Sequence, residues 1–411
     1  MLPKELNALL NNNKWEDAIV FLSNPNTKLS DDELSALAWS YSRIGKYDKA
    51  IQLYSQLIQH QPNIAKWYYA KGYQFYMQKK WQEAIKNFNE ALNLFDKYFV
   101  VKYRIAYAYI QISGNTMQWS KDSFWKAINH LEDCHRIYKT YSEEERERHS
   151  ATYGNICALH GKTIMSCEKY LDKSILLLER AVKIKNDNDF KYQLAKAYYN
   201  RQYSRALEVL SKLKNSYYVL ELKSQIFSAM DNYRKSNDVL FELIKFRKKD
   251  YLYRRISENF FGLKEFDTAE KFAKRAIDMD KNNYKNFMAY GLALKEEQMY
   301  KSAIVAFEKT RQLKQTKYHL DCVEAITNIE TIQNLTNGIP TDVNINIGLC
   351  EQSRYVGEII KYNEIKGYGF IFEESSNESV FFHISSFKSQ NHMIGKKVEF
   401  EIEITKKVKK Q

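Results

Sequence analysis

The sequence predicts a mainly α protein, an array of paired helices followed by a small all-β module. Three observations carry this reading. Only four prolines interrupt 411 residues, which favours long helical runs. Alanines and aromatics recur in a helix–turn–helix pattern, and 34 positions separate Ala50 from Ala84 and Ala269 from Ala303. From Tyr355 onward the apolar period becomes two, as strands require. A single core stops growing at roughly 250–300 residues, so a chain of this length needs several domains or a repeat array. Hydrophobic residues at 44%, with 31 tyrosines and 22 phenylalanines, supply ample surface to bury.

The array begins with an incomplete unit marked by Trp15 and Ala18. In the next, Ala38, Tyr41, Tyr47, Ala50, Tyr54 and Pro62 mark two helices joined at "GKY". Gly72, Phe75, Trp81, Ala84, Phe88 and Ala91 repeat the pattern; small residues let the helices approach and aromatics fill the holes between them. A third unit opens with Ala106 and Tyr109, and the insert "SGNTMQWSKDSFW" delays its second helix around Ala127 and Leu131. More degenerate units carry Tyr170 with Ala181, Tyr203 with Ala206, Tyr233 with Leu240, and Phe266 with Ala269 and Ala276. The last clear one has Gly291, Leu294, Tyr300, Ala303 and Phe307. This stretch resembles a tetratricopeptide-repeat superhelix, which implies a right-handed α-solenoid. A helix over about Lys317 to Leu335 is expected to cap its apolar end, as such arrays need.

Gly338 and Pro340 stop the helical pattern, and Val343, Ile345, Ile347 and Leu349 alternate in strand fashion. The expected organisation is a helical array over 1–336, a linker with a strand-like segment over 337–354, and a β-module over 355–411. In the last, "VGEIIKYN", "KGYGFIF", "SVFFHIS" and "KKVEFEIEIT" read as short strands. "KGYGFIF" places two glycines among three aromatics in a chain with only 13 glycines, about half the roughly 7% of average usage. Alternation puts Tyr368 and Phe370 on one strand face, with Gly367 and Gly369 leaving room for a backbone or a base. Phe381 and His383 share a face, while Val380, Phe382 and Ile384 point the other way. If the strands pair, four rings stand beside Lys361 and Lys366. Such a surface stacks unpaired bases at roughly 1–3 kcal/mol each.

Residues 355–411 resemble a cold-shock domain: Gly357, Tyr362 and Asn363 match its first strand, "KGYGFI" its first ribonucleoprotein-like motif and "VFFHIS" its second. The resemblance implies a small five-stranded oligonucleotide-binding (OB) barrel that holds single-stranded RNA or DNA. It implies stacking by Tyr368, Phe370, Phe381 and His383, with Tyr362 in the matching first strand and Lys366 near phosphate. The family's usual Lys-Trp pair is replaced by Ile360 and Lys361, so one stacking Trp is missing and the lysine is displaced by one position. Ile384 replaces a frequent Phe, and the sequence ends at "TKKVKKQ" where a fifth strand would follow. Weaker binding than in a typical member is expected, and 343–349 is a candidate for the missing strand.

The formal net charge is +13, yet residues 355–411 hold nine lysines against eight glutamates, a net of only +1. Phosphate affinity then needs cations from elsewhere. "KFRKKDYLYRRIS" offers Lys245, Arg247, Lys248, Lys249, Arg254 and Arg255 interleaved with Phe246, Tyr251 and Tyr253; a solvated helix edge is the competing reading. The helical array offers a second site. The family's concave groove corresponds here to Trp39, Tyr69, Tyr73, Tyr76, Tyr103 and Tyr107, good anchors for a protein partner, with packing between repeats as the alternative. These residues do not match the Lys/Asn carboxylate clamp of chaperone-binding members.

Five scattered cysteines with no C-x-x-C pair suggest neither a disulfide framework nor a zinc knuckle. The first residues lack the apolar stretch of a signal peptide, and no run of about 18 apolar residues occurs. A soluble cytoplasmic protein that contacts no membrane is expected. No Walker loop, H-E-x-x-H, G-x-S-x-G or dinucleotide fingerprint is found, so no catalytic residue, metal or cofactor is assigned. His130 and His135 are expected to face solvent. The expected function is that of an adaptor with a protein partner in the groove and single-stranded RNA or DNA on the C-terminal module. A pure protein scaffold and the recognition subunit of a nuclease or antiviral system are the alternatives; the sequence leaves partner identity, target and oligomeric state open.

Overall fold

The computed structural model describes residues 2–23, 28–114, 122–336, 354–363, 368–373, 378–383 and 395–401. Lys366, Gly367, Ile384, the strand-like segment 343–349 and residues 115–121 of the insert lie outside the described residues. The chain divides into two compact units, with the boundary between Leu213 and Lys214. The first holds α1 (Lys4–Asn11), α2 (Trp15–Leu22), α3 (Asp31–Arg43), α4 (Tyr47–His60), α5 (Ala65–Met77) and α6 (Trp81–Leu94). It continues with α7 (Phe99–Ser113), α8 (Asp122–Thr140), α9 (Glu143–Ile164), α10 (Leu171–Ile184), α11 (Asn188–Tyr199) and α12 (Tyr203–Ser211). The second holds α13 (Tyr217–Ala229), α14 (Tyr233–Phe246), α15 (Asp250–Gly262), α16 (Phe266–Met279), α17 (Tyr284–Glu296), α18 (Tyr300–Tyr318) and α19 (Val323–Leu335), then a four-stranded sheet.

One turn recurs through both units. Asn13, Gly45 and Lys79 in the first, and Asp231, Lys264 and Gln298 in the second, have φ between 54° and 77°. Each ends the first helix of a pair, and each stands two residues before the aromatic that opens the second helix. The next amide closes a Schellman bond back into the helix: Lys46 N to Tyr41 O, Lys80 N to Phe75 O, Glu265 N to Phe260 O and Met299 N to Leu294 O, all 2.9 Å. Five of the six are not glycine, so the array carries a left-handed cost of roughly 1–2 kcal/mol at each.

The second helix of the most regular pairs buries small and aromatic residues on one face. In α6 these are Ala84, Ile85, Phe88 and Ala91; in α16 they are Ala269, Phe272, Ala273, Ala276 and Ile277. Helices α10, α12 and α14 bury small and aliphatic residues instead. Gly72 of α5 lies so near Phe88 that a Cβ there would stand 2.7 Å from the ring, which is why the position is small. Entry to α3 and α9 is fixed by capping boxes, Ser30 with Glu33 and Ser142 with Glu145. The capping helix begins later than Lys317: α18 runs on to Tyr318, left-handed His319 (φ 54°) ends it, and α19 follows from Val323.

The sheet comprises β1 (Arg354–Asn363), β2 (Tyr368–Glu373), β3 (Glu378–His383) and β4 (Lys397–Glu401) in the order β3-β2-β1-β4. All neighbours are antiparallel, and β1 pairs with β2 on one side and β4 on the other. A bulge between Ile359 and Lys361 lets ten residues serve both partners. Ile359, Ile371 and Phe382 are buried on the inner face.

Candidate functional site

The outer face of the sheet brings together three of the expected side chains. Phe370 pairs in register with Lys361 across β1–β2 and with Phe381 across β2–β3. The two rings meet edge to face, with centroids 5.8 Å apart at 74°. Such a pair fixes both rings without hiding them. Phe381 remains 58% exposed, and Ile360 and Val356 are exposed on β1. Tyr368 and His383 are backbone partners one step along, and Tyr362 pairs with Gly369; these three are described in backbone alone.

Gly369 accounts for one of the unusual glycines. Its Cα faces inward, where a Cβ would lie 2.3 Å from the Lys361 carbonyl oxygen and 2.6 Å from the Phe382 ring. Only hydrogen lets β1 approach β2 with Phe382 packed beneath, and that approach sets Lys361 beside Phe370. Lys361, where the family has an aromatic, pairs with Phe370 and sets a cation there instead, while Ile360, where the family has the lysine, sits at the bulge and is exposed.

The basic stretch lies on the end of α14 and the start of α15. Lys245, Phe246, Arg247 and Lys248 are exposed, while Lys249, Arg254 and Arg255 are half-buried. Arg254 forms an ion pair with Glu258 one turn on. Close by, Arg275 of α16 lies over the Tyr253 ring at 5.2 Å and pairs with Glu373 of β2 at 2.8 Å. The charge count had pointed to these cations, but no sequence pattern marks Arg275 and Glu373, which stand 98 residues apart.

In the first unit, a cavity of about 850 Å³ is lined by rings that include Trp39, Tyr69 and Tyr73 of the expected groove, with Trp67, Tyr98 and Arg104 added. Arg104 lies 5.0 Å over Tyr73 and 4.9 Å over Tyr76. Burial pushes the Tyr76 phenol up to about 12 against the opposing pull of Arg104, so it stays neutral. Tyr103 also faces Arg104, at 5.9 Å, and packs against the neighbouring core. Tyr107 packs between Tyr76 and Trp81 instead of lining the cavity.

The expectation that His130 and His135 face solvent is corrected. His130 stacks on Tyr109, and its Nδ1 is buried. His135 Nε2 lies 3.0 Å from Nδ1 of fully buried His160, and its Nδ1 lies 3.1 Å from the Tyr153 hydroxyl. Burial, aided by Arg180, lowers His135 to about 4; burial and then His135 lower His160 to about 3. Helical spacing could have placed His135 on the buried face with Leu131; the pairing with His160 comes from the fold alone. One acidic cluster has ligand spacing among the described residues, Asp267, Glu270 and Glu297, but Lys271 already pairs with Asp267 at 2.9 Å.

Helix pairs with aromatic-filled seams and a sheet with paired outer rings define a repeat array carrying an oligonucleotide-binding module. Tetratricopeptide repeats and a cold-shock domain are indeed both present: residues 35–98 match the tetratricopeptide-repeat family, and 355–411 match the 'Cold-shock' DNA-binding domain. No enzyme family is indicated. Comparison with curated proteins found no match. Among solved structures, pilF of Pseudomonas aeruginosa is similar at 12% identity, covering 53% of this chain and 91% of its own, with a TM-score of 0.42. A thermophilic TPR protein of Thermus thermophilus shares 17% identity over 49% of this chain and 99% of its own, at 0.34. MamA shares 17% over 46% and 95%, at 0.35. Among the described residues, no helix is long and apolar enough to cross a membrane.

Proposed function

We propose that the protein is a non-enzymatic cytoplasmic adaptor. Its cold-shock sheet holds single-stranded RNA or DNA by stacking, and its helical array holds a protein partner in the ring-lined cavity of the first unit. The observation that carries the nucleic-acid half is the exposed Phe381 set edge-on to Phe370, with Lys361 in register beside them. A base laid on such rings gains roughly 1–3 kcal/mol and leaves its phosphate within reach of the lysine. For the protein half, Trp39, Tyr69 and Tyr73 supply anchors for apolar side chains, and Arg104 supplies one cation for an acidic group among them.

Titration of labelled single-stranded RNA and DNA of about a dozen nucleotides, by fluorescence anisotropy, tests the first half. The intact chain is expected to bind in a salt-sensitive way, and the double variant Phe370→Ala, Phe381→Ala to bind at least tenfold more weakly. Equal binding by both proteins would remove the sheet as the site. No binding by either would favour the scaffold reading, which Lys361 in place of a stacking ring supports.

A further inference from the structure

Both the sheet and the basic stretch belong to the second unit, and a buried contact ties the sheet to the helix that packs on the segment holding that stretch. Glu373 is the last residue of β2, with its side chain 1% exposed, and its Oε2 lies 2.8 Å from Nη1 of Arg275, itself 11% exposed. The Arg275 guanidinium covers Tyr253, and Tyr253 immediately precedes Arg254 and Arg255 on α15. One turn before Tyr253 lies Lys249, the end of the run Lys245–Lys249. The ion pair therefore joins the sheet to α16, whose Arg275 covers a ring of the segment 245–255, where six cations stand against one Asp250. Glu373 belongs to the inner face, shared with Ile371 and Gly369, so the anchoring leaves the outer rings open. Along β2, Phe370 stands three residues from Glu373, about 10 Å at the usual strand rise.

We propose that the sheet and the stretch Lys245–Lys249 form one nucleic-acid surface: a strand stacked on Phe370 and Phe381 continues past the Arg275–Glu373 anchor and lays its phosphates on Lys245, Arg247 and Lys248. This rests on the sheet being the nucleic-acid site. Charge argues for it, because a domain of net +1 supplies little phosphate affinity while a chain of +13 places exposed cations next to that domain. Phe246, 58% exposed among those cations, adds a further ring on which a base can stack. The surface fits a strand longer than the few nucleotides that the sheet alone would hold.

The test compares labelled oligothymidylates of about 5 and about 18 nucleotides on the full chain and on the triple variant Lys245→Gln, Arg247→Gln, Lys248→Gln, whose positions are exposed and leave the core intact. The variant is expected to bind the long strand at least tenfold more weakly. Its slope of log affinity against log salt should fall by about 2, the amount for three phosphate contacts on a single strand. The short strand should bind as in the parent. Unchanged binding of the long strand would overturn the proposal, and so would equal loss at both lengths, which would put the cations at the rings. If Phe370→Ala, Phe381→Ala leaves both lengths bound while the triple variant loses both, the stretch binds alone and the sheet reading fails separately. Arg275→Ala gives a second measure: the long strand's advantage should shrink while short-strand binding persists. An advantage unchanged in Arg275→Ala would refute the anchor's part in it.

Discussion

Substituting Gly369 by alanine tests why the sheet's geometry needs glycine. The new methyl carbon would lie 2.3 Å from the Lys361 carbonyl oxygen and 2.6 to 2.7 Å from two Phe382 ring carbons. Ordinary contact begins at 3.4 Å, so β1 and β2 must part by about 1 Å or Phe382 must leave the inner face. Overpacking of this kind costs roughly 1–3 kcal/mol. We place it near 3 because the nearest atom is a backbone oxygen in a strand ladder and cannot rotate away. A loss of about 3 kcal/mol raises the opening equilibrium of the sheet more than a hundredfold. Amide hydrogen exchange reads this directly: protection of 354–363 and 368–373 should drop by about that factor while α3 to α10 keep theirs. Tryptophan fluorescence supplies the control, because all six tryptophans lie between Trp15 and Trp125. Unaltered protection in β1 and β2 would refute the close-approach argument.

Other outcomes follow from the same structure. The neutral pair His135 and His160 makes the first unit acid-sensitive: their folded values, about 4 and about 3, lie below the ordinary 6.5, so their contribution is complete above about pH 6.5 and is lost as the pH falls through 4 towards 3. Each histidine's contribution falls by about 1.5 kcal/mol between pH 6.5 and 5, and denaturant titrations followed by tryptophan fluorescence should show the combined pH step reduced by about half in His160→Phe, because burial and Arg180 hold His135 low without His160. An undiminished step in that variant would contradict it. Replacing left-handed Lys79, Lys264 or Gln298 by glycine relieves backbone strain and should stabilise the respective unit by about 1 kcal/mol in denaturant titrations. Destabilisation would show that the side chain outweighs the strain. Arg104→Met removes the cation stacked on Tyr73 and Tyr76 and should weaken capture of acidic peptides by the first unit at least fivefold, with its melting temperature moved little. Equal capture would place the partner elsewhere.

Much of this was legible in the sequence because repeats and strands carry simple periods. The recurring "GKY"-like turns located the helix pairs, although the sequence hides that Asn13, Lys79, Asp231, Lys264 and Gln298 do the work of Gly45 by adopting its left-handed conformation. Alternation placed Phe370 and Phe381 together, since a pleated strand leaves only two choices of face. What stayed hidden depends on contacts between distant elements. Arg275 reads as one more surface charge on α16, and Glu373 as a strand end, until the fold buries them against each other. His135 likewise gives no sign of His160, because the pairing across α8 and α9 depends on the crossing of two long helices. The groove was half legible: Trp39, Tyr69 and Tyr73 line the cavity, whereas Tyr107 serves the packing between repeats.

The central claim is that bases stack on the outer rings of the sheet. Ultraviolet crosslinking of the intact chain to a single strand carrying 5-iodouracil, followed by mass spectrometry of the adducts, tests it most directly. Adducts on the peptides that contain Phe370 and Phe381 are the predicted result. Adducts confined to the helices, with none on β2 or β3, would contradict the account.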